Sequence, residues 1–471
     1  MKKFTLFLFV AVIGLTIISS CNTACPIKRA ADAISAEPSR PNGQTDVIGL
    51  RCDPIPVVRM AFIGVGSRGS GALSRFLNIE GIEIKAICDL EQSNLDRIQT
   101  RLKDDDRPEA AMYTGEEDWK KVCERDDIDL VYIATHWDLH TPISVYAMEQ
   151  GKHVISEIPI AKTIEECWLL VNTAERTRRH CMMLENTCYD FFELATLNMA
   201  QQGLFGELVH VEGAYIHDLR AYMFGDRTAE ERPSYWNFWR LKENSERNGA
   251  LYPMHGLGPI AQLLNINRGD KMDYLVALGS DQFNLTAYAK EKYGENSPQA
   301  QMDINKGDMT SLLIKTAKGK SMLIQHDVTS PRPYDRLHTI SGTKGFAKKY
   351  PIQQLAFDEE NLRGQRHARI LNNEEMEAKL KEYEYPFITE VREFAQKVGG
   401  HGGMDFIMEY RVIKCLQQGL PLDMNVYDGV SWSAVIPLSE FSLANGSYPV
   451  KIPDFTRGGW QKVQGFKHTS F

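Results

Sequence analysis

The sequence lacks most patterns that mark metal-binding, redox-pair or nucleic-acid-binding proteins. Its nine cysteines include no C-x-x-C pair, which argues against a zinc site and against a thioredoxin-like motif. It has no block of lysine and arginine, and its net charge is −8 with a pI near 5.9. We therefore do not expect nucleic acid or an anionic membrane face as a main partner. Internal repeats and low-complexity tracts are also missing.

The N-terminus carries an apolar run. Lys2 and Lys3 precede an apolar core over residues 4–18, and the run ends in IISSC at Cys21. This order is typical of an export signal, and its end resembles a bacterial lipobox, in which the cysteine is acylated after cleavage. We expect a signal peptide at residues 1–20 and a lipoprotein tethered through Cys21, periplasmic or at the cell surface. An ordinary cleaved signal or a short anchor helix is the alternative, and no twin-arginine pair is present.

Residues 21–55 are polar, with scattered proline and glycine, and predict a tether between the lipid and the folded body. Cys25 and Cys52 are candidates for a disulfide in an oxidising compartment. Most other cysteines lie in apolar or helical stretches and are expected to be buried. The chain has 471 residues, of which 43% are hydrophobic and 25% charged, enough for two or three domains with sizeable cores.

Strands and helices alternate over residues 56–193. Apolar runs such as VVRMAFIGVG and IDLVYIATHWDLH are separated by helical segments such as SRGSGALSRFLNI. This alternation predicts a Rossmann-type, doubly wound parallel sheet that is covered on both faces. Over residues 194–471 longer strands follow one another, which predicts a second α/β domain with an open, largely antiparallel sheet and C-terminal helices. An exposed face of that sheet is a natural surface for a homo-oligomer.

A glycine motif, FIGVGSRGSG, follows the first predicted strand and opens the first helix. Gly64, Gly66 and Gly69 have the G-x-G-x-x-G spacing of a turn that holds a dinucleotide pyrophosphate. Gly64 permits the tight turn, Gly66 lets the main chain approach the phosphates, and Gly69 lets the helix pack against the strand. Ser67 and Arg68 would then face the anion at the helix N-terminus.

Asp89 ends the second predicted strand. A carboxylate at this position accepts hydrogen bonds from both ribose hydroxyls of adenosine and repels a 2′-phosphate. NAD is therefore the expected cofactor, in preference to NADP. The alternative is that Asp89 caps the next helix, and the two roles are compatible.

From the glycine motif onwards the sequence resembles the Gfo/Idh/MocA group of NAD-dependent sugar oxidoreductases. The strand ends ATHWDLHTP and SEIPIAKT carry the resemblance, together with a distal asparagine loop. It implies further cofactor-binding residues: Trp137, Asp138, Leu139, His140, Glu157, Ile158, Asn186 and Arg232. The group usually has Glu-Lys-Pro where this chain has Glu157-Ile158-Pro159. Because the lysine polarises the substrate hydroxyl or ketone and Ile158 cannot, a conventional dehydrogenase is disfavoured.

Within this group, the segments LYPMHGLGP and SPRPYDRLHTISGTKG resemble glycoside hydrolase family 109, NAD-using α-N-acetylgalactosaminidases. The resemblance implies oxidation at C3 of the sugar, removal of the C2 proton, elimination at C1, water addition and re-reduction. It points to His255, Tyr252 and Tyr334 as catalytic residues, with Tyr215, Tyr252 and Tyr334 contacting the sugar. Either His255 or Tyr334 is the base for C2, and the other assists departure of the C1 oxygen. Restoring NAD at each turnover suits an exported enzyme.

Several alternatives remain open at this point. The chain is otherwise a periplasmic NAD-dependent sugar dehydrogenase, which would produce net NADH, or a non-catalytic lipoprotein that binds glycans or NAD. Trp236 and Trp239 either stack on a sugar or belong to the core. His326-Asp327 suggests a pair of metal ligands, but no third ligand follows at a suitable spacing, so no metal site is expected.

Overall fold

A parallel β-sheet forms the first half of the protein. The structure, a computed structural model, describes residues 26–225, 235–358 and 368–470. The strands of the first sheet are β1 (Val58–Ile63), β2 (Ile82–Cys88), β3 (Ala111–Tyr113), β4 (Leu130–Ile133), β5 (His153–Ser156) and β6 (Cys181–Met183). They pair in parallel in the order β3-β2-β1-β4-β5-β6. This is the strand order of a dinucleotide-binding sheet, with its switch point between β1 and β4.

Helices connect these strands. They are α1 (Pro26–Ile34), α2 (Ser67–Phe76), α3 (Gln92–Asp104), α4 (Asp118–Cys123), α5 (His140–Glu149), α6 (Ile164–Thr177) and α7 (Phe191–Gln201). Every residue of β4 and β5 is buried, as expected for a parallel sheet that is covered on both faces. The predicted doubly wound sheet is confirmed.

A mixed sheet forms the second half. Its strands are β7 (Leu208–Ile216), β8 (Met272–Gly279), β9 (Met309–Thr316), β10 (Ser321–Asp327), β11 (Asp335–Gly342), β12 (Gly345–Lys348), β13 (Gln354–Phe357) and β14 (Val450–Lys451). The order is β13-β12-β11-β7-β10-β9-β8-β14. Only β7 and β10, among these neighbours, pair in parallel. The predicted open, largely antiparallel sheet is thus confirmed.

The later helices link the two sheets. They are α8 (Arg220–Phe224), α9 (Trp239–Glu246), α10 (Met254–Leu263), α11 (Asn284–Tyr293), α12 (Asn373–Glu382), α13 (Pro386–Val398), α14 (Met404–Gln417) and α15 (Val426–Ala444). Of these, α14 returns to the first sheet and packs on α2, while α15 packs against α6, β6 and β8. The C-terminal helices therefore bring distant segments to the carboxyl edge of the parallel strands.

The segment before the first strand is packed rather than free. Ala31 and Val47 are buried, and Arg40 Nε lies 3.0 Å from Oε2 of the buried Glu175. The described part of the predicted tether, residues 26–55, is therefore docked on the folded body. Its polar composition misled the prediction, because the partners that hold it lie more than one hundred residues further along the chain.

The predictions for the N-terminus fall mainly outside the described residues, since residues 1–25 are not among them. These include Cys21 and also Cys25, the candidate disulfide partner of Cys52, which carries a free thiol. Six further described cysteines are free and buried. Over the part of the chain that the structure describes, no helix combines the length and the apolar character needed to cross a membrane.

Candidate active site

The glycine turn joins β1 to α2 at the carboxyl edge of the first sheet. Gly64 has a φ of +87°, and a Cβ built there would lie 2.5 Å from the Ala134 carbonyl oxygen. A Cβ on Gly69 would lie 1.9 Å from the carbonyl oxygen of Gly64. Next to Gly66, by contrast, the nearest atom to a built Cβ is Asn94 Nδ2 at 4.0 Å. The turn therefore requires glycine and leaves open space beside its main chain, which fits a pyrophosphate.

Asp89 lies beside this turn. Its carboxylate accepts hydrogen bonds from the Val65 N–H at 2.8 Å, the Glu91 N–H at 3.0 Å and Asn94 Nδ2 at 2.9 Å. These bonds fix the carboxylate between the glycine turn and the start of α3. The carboxylate thus supports the start of α3 without being its N-cap, which is Glu91, and the contact with the ribose stays a prediction.

Arg68 pairs with two carboxylates that the sequence did not place beside it. Its Nε donates to Glu157 Oε1 at 2.7 Å, and its guanidinium also donates to Asp405 Oδ2 at 3.0 Å. The side chain therefore links the β5 edge to α14, and its contact with the cofactor anion stays a prediction. Ser67 begins α2, so its main-chain N–H belongs to the helix N-terminus. Glu157 additionally accepts the Tyr132 hydroxyl at 2.7 Å.

The turn Trp137–Leu139 follows β4. Asp138 pairs with Lys162, with 2.5 Å between Oδ1 and Nζ, and Leu139 is half-buried. The ring nitrogens of His140 lie 2.7 and 3.1 Å from two main-chain carbonyl oxygens, and burial lowers the pKa of this histidine. The His140 ring thus connects the loops after β4 and β5. The sequence motif did not predict this structural role.

Asn186 follows β6, where the turn Asn186–Tyr189 begins. Its Nδ2 donates to Asp405 Oδ1 at 2.5 Å, while its own Oδ1 is buried without a hydrogen-bond partner among the described residues. An unpaired buried acceptor at this edge fits a donor group of a bound cofactor. Ile158 is 4% exposed and offers no polar atom. Arg232, the remaining predicted cofactor residue, lies outside the described residues.

His255 lies near the start of α10 and pairs with a buried carboxylate. Its Nδ1 lies 2.7 Å from Oε1 of Glu185, which is fully buried and also accepts the Thr187 N–H and hydroxyl at 3.1 and 2.7 Å. Burial alone would raise the pKa of Glu185, but the charge and hydrogen bond of His255 lower it below its usual value. This network assigns the proton to Nδ1 and leaves Nε2 as the basic atom.

Aromatic rings surround His255. The ring centroid of Tyr215 lies 5.1 Å from that of His255 and 4.9 Å from that of Tyr252. Tyr252 stacks on Trp137 at 5.8 Å and 15°, so the loop after β4 supports the tyrosine that was predicted to contact the sugar. Trp239 packs edge-on against Trp137 at 5.0 Å, which favours the core assignment for this tryptophan.

Tyr334 lies on the connection between β10 and β11 and is 40% exposed. Its ring centroid lies 6.3 Å from that of Tyr215 and 5.1 Å from that of His217. Burial raises the pKa of Tyr334 despite the neighbouring Arg336 guanidinium. The phenol therefore keeps its proton near neutral pH and is suited to donate it. We call the set Tyr215, His217, Tyr252, His255 and Tyr334 the aromatic site.

Glu185 and His217 were not predicted from the sequence. Glu185 directly precedes Asn186, and His217 follows Tyr215 by two residues, so their positions next to predicted site residues were the available signals. The Tyr215 hydroxyl lies 3.0 Å from Nδ1 of His217. Burial, followed by the charges of Arg240 and His255, lowers the pKa of His217 to about 4. The neutral ring can therefore accept the Tyr215 proton.

The His326-Asp327 pair ends β10 beneath the aromatic site. Both residues are buried, and Asp327 Oδ1 accepts the N–H groups of Thr329 and Ser330 at 3.0 and 2.9 Å. These local bonds occupy Oδ1 in a turn, whereas Oδ2 and both ring nitrogens of His326 are buried without a hydrogen-bond partner among the described residues. Across the described ranges, no group of three or more histidine, cysteine or carboxylate side chains is arranged to hold a metal ion.

The glycine turn, the strand order and the mixed sheet define an NAD-binding protein of the Gfo/Idh/MocA oxidoreductase fold. Residues 58–185 match the oxidoreductase family with NAD-binding Rossmann fold. A solved levoglucosan dehydrogenase, in complex with NADH and L-sorbose, is 19% identical with a TM-score of 0.64, covering 85% of this chain and 100% of that chain. Apo scyllo-inositol dehydrogenase from Lactobacillus casei is 13% identical with a TM-score of 0.59, covering 85% and 99%.

The second half identifies the family. Residues 189–462 match the C-terminal domain of glycosyl hydrolase 109. An alpha-N-acetylgalactosaminidase of Bacteroides fragilis is 52% identical over 419 residues, which cover 89% of this chain and 96% of that protein. Glycosyl hydrolase family 109 protein 1 of Bacteroides thetaiotaomicron is 47% identical over 480 residues, 99% of each chain. The chain belongs to glycoside hydrolase family 109 and is an enzyme with an NAD-binding domain, which confirms the resemblance found in the sequence.

Proposed function

We propose that this enzyme releases terminal α-N-acetylgalactosamine from glycans through transient oxidation of the sugar. The proposal rests on the His255–Glu185 pair. This pair lies among aromatic rings at the edge of the NAD-binding sheet. The name of the relative that is 52% identical supports the choice of sugar. The buried Ile158 supports a reaction that differs from net dehydrogenation, because it replaces the polarising lysine.

The residues of the first domain fit NAD. The glycine turn and the N-terminus of α2 would hold the pyrophosphate, Asp89 the ribose, and the orphaned Oδ1 of Asn186 a donor group. When bound, NAD supplies a reversible hydride acceptor for C3 of the sugar, so that the C2 proton becomes acidic and the cofactor is unchanged after a full turnover.

Proton transfer falls to the aromatic site. Nε2 of His255 takes the C2 proton, and the resulting imidazolium is stabilised by the buried Glu185 carboxylate at Nδ1. Tyr334, whose pKa is raised, donates its proton to the departing C1 oxygen and takes one back when water adds. Tyr215 and Tyr252 contact the sugar. This assignment makes His255 the base and Tyr334 the acid, the choice that the sequence left open.

We further infer that the enzyme acts outside the cytoplasm, tethered by a lipid on Cys21. The basic residues, apolar core and lipobox-like IISSC of residues 1–21 support this location. A redox-neutral cycle needs one tightly held NAD and no supply of oxidised cofactor. Metabolic labelling with a fatty acid should mark the membrane fraction of the wild type. A Cys21→Ser variant that is labelled equally would contradict the inference.

The test of the function is release of a chromogenic aglycone from an α-N-acetylgalactosaminide, with absorbance at the NADH band recorded in the same cuvette. Purified protein that lacks residues 1–21 should release the aglycone without net NADH. If NADH instead accumulates with free sugars and no aglycone is released, the protein is a sugar dehydrogenase. If neither signal appears with any glycoside offered, a non-catalytic binding role is favoured.

A further inference from the structure

A closed ring of hydrogen bonds borders the predicted ribose site, and one of its members, Arg97, has no role in the steps above. Val65 lies within the glycine turn, and its N–H donates to Asp89 Oδ2 at 2.8 Å. Its carbonyl oxygen accepts Nη2 of Arg97, on α3, at 3.1 Å. The same Nη2 donates to Asn94 Oδ1 at 3.0 Å, and Asn94 Nδ2 donates to Asp89 Oδ1 at 2.9 Å. Four residues therefore hold one another at this edge of the sheet.

Arg97 fixes the orientation of the Asn94 amide. Because a guanidinium can only donate hydrogen bonds, Arg97 holds the amide oxygen, and the amide nitrogen is left to face the Asp89 carboxylate. Asn94 Nδ2 is also the atom nearest to a Cβ built on Gly66, at 4.0 Å, so this amide borders the open space beside the glycine turn. Arg97 thus positions the amide that supports the carboxylate next to the predicted ribose site.

The Arg97 guanidinium keeps unused donors. Both of its hydrogen bonds use Nη2, and Nε and Nη1 have no acceptor among the described residues. The side chain is exposed and forms no ion pair with a described carboxylate, whereas Arg101, one turn further along α3, pairs with Asp105 at 2.8 Å. Guanidinium groups bind phosphate through paired N–H donors. In dinucleotide-binding folds an arginine near the ribose accommodates the 2′-phosphate of NADP.

We propose that Arg97 is a specificity-determining residue of the cofactor site. While Asp89 is present, its carboxylate repels a 2′-phosphate, and Arg97 acts on the ribose site only through Asn94. When the carboxylate is removed, the unused donors of Arg97 bind the 2′-phosphate, so that the chain accepts NADP as well as NAD. The inference rests on the NAD site of the proposed function and goes beyond it, because it assigns the residue that a single lost charge converts to phosphate binding.

Calorimetric titration with NAD and with NADP tests the proposal without turnover. The wild type should bind NAD at least about 10²-fold more tightly than NADP. Asp89→Ser should bind NADP about tenfold more tightly than the wild type does. Adding Arg97→Gln to Asp89→Ser should weaken NADP binding about 10–10²-fold and NAD binding at most about threefold, because only NADP offers a phosphate to the guanidinium. Asp89→Asn, which keeps an acceptor for the Val65 N–H, replaces Asp89→Ser if the serine variant does not fold.

Arg101→Gln is the matched control, because Arg101 lies on the same helix and is held by Asp105. Added to Asp89→Ser, it should change the affinity for either nucleotide by less than about twofold. Equal losses of NAD and NADP affinity on adding Arg97→Gln would make Arg97 structural, and an uncharged residue at position 89 that brings no gain in NADP affinity would also overturn the proposal. Failure of the proposed function is distinguishable, because it shows as a wild type that binds NAD but releases no aglycone.

Discussion

The two sheets contribute to the site in different ways. The edge of the first sheet offers mainly main-chain groups, and its shape depends on missing side chains, since a Cβ on Gly64 or Gly69 would lie within 2.5 Å of a carbonyl oxygen. The second sheet and α10 offer rings and titratable groups such as Tyr215 and His255, and the Glu185 carboxylate holds His255 from elsewhere in the chain.

This difference separates binding from chemistry. Main-chain N–H groups exist at every residue, so a dinucleotide turn needs glycine at a few positions and tolerates change around them. Acid–base chemistry needs particular side chains in particular protonation states. A chain of the same fold that is only 19% identical is a levoglucosan dehydrogenase, so the fold alone does not determine the reaction. The substitutions below test whether the two regions separate in this way.

The largest effect should come from the base. His255→Gln removes the atom that takes the C2 proton, and we expect kcat to fall about 10³-fold, within the range of general acid–base catalysis. NAD affinity, measured by calorimetry, should stay within about twofold, because the cofactor edge is untouched. Aglycone release is the readout, and the control is His210→Ala, at a half-buried histidine five residues before Tyr215 on β7. A variant that retains more than about a tenth of the wild-type rate would refute His255 as the base.

A smaller loss is expected when the carboxylate behind the base becomes neutral. Glu185→Gln should lower kcat about 10²-fold, since the imidazolium loses its buried counter-charge. Without this counter-charge His255 is harder to protonate. The acidic limb of the plot of kcat/KM against pH should therefore move to lower pH. Added to His255→Gln, the substitution should cost almost nothing more, because the pair acts as a unit. An unmoved acidic limb would reduce Glu185 to a packing role.

These two residues also show what the sequence can predict. The alternation of strands and helices and the glycine spacing are local patterns, and both predictions were confirmed. The His255–Glu185 pair joins residues 70 positions apart, and Asp405 reaches Arg68 from 337 positions away. No local pattern encodes such distances. The same limit explains why the two carboxylate partners of Arg68 were not predicted.

At the cofactor edge, NAD affinity should depend on the shape of the glycine turn. In Gly69→Ala the new Cβ would meet the Gly64 carbonyl oxygen at 1.9 Å, so the turn must open, and we expect NAD to bind about 30-fold more weakly. With saturating NAD, kcat should recover to within a few-fold. Gly71→Ala is the control, because its Cβ would meet only the flexible end of Arg75 at 3.5 Å. Equal NAD affinity in both alanine variants would show that the turn tolerates a side chain and would weaken the comparison.

The smallest expected effect is on stability, and it concerns His217 in the aromatic site. The pKa of His217 is about 4 in the folded protein, mainly through burial, against an ordinary 6.5. Between these values the unfolded chain binds more protons, so this residue makes the free energy of unfolding rise with pH from 4 to 6.5. We expect His217→Gln to remove about 1–2 kcal/mol of that rise in denaturant titrations, less than the full shift allows.

Tyr215→Phe is the control for that measurement, because it removes the hydroxyl but leaves the half-buried His217 ring in place. The rise of its free energy of unfolding with pH should match that of the wild type. If the free energy of unfolding of His217→Gln rises with pH as steeply as that of the wild type, the His217 ring of the wild type is protonated in the folded protein at pH 5. It would then be unable to accept the Tyr215 proton, and the contact at 3.0 Å would require the tyrosine oxygen as acceptor. That outcome would change which groups of the aromatic site carry a proton and would leave the glycine turn unaffected. Such independence is expected if the second sheet provides the chemistry and the first sheet binds the cofactor.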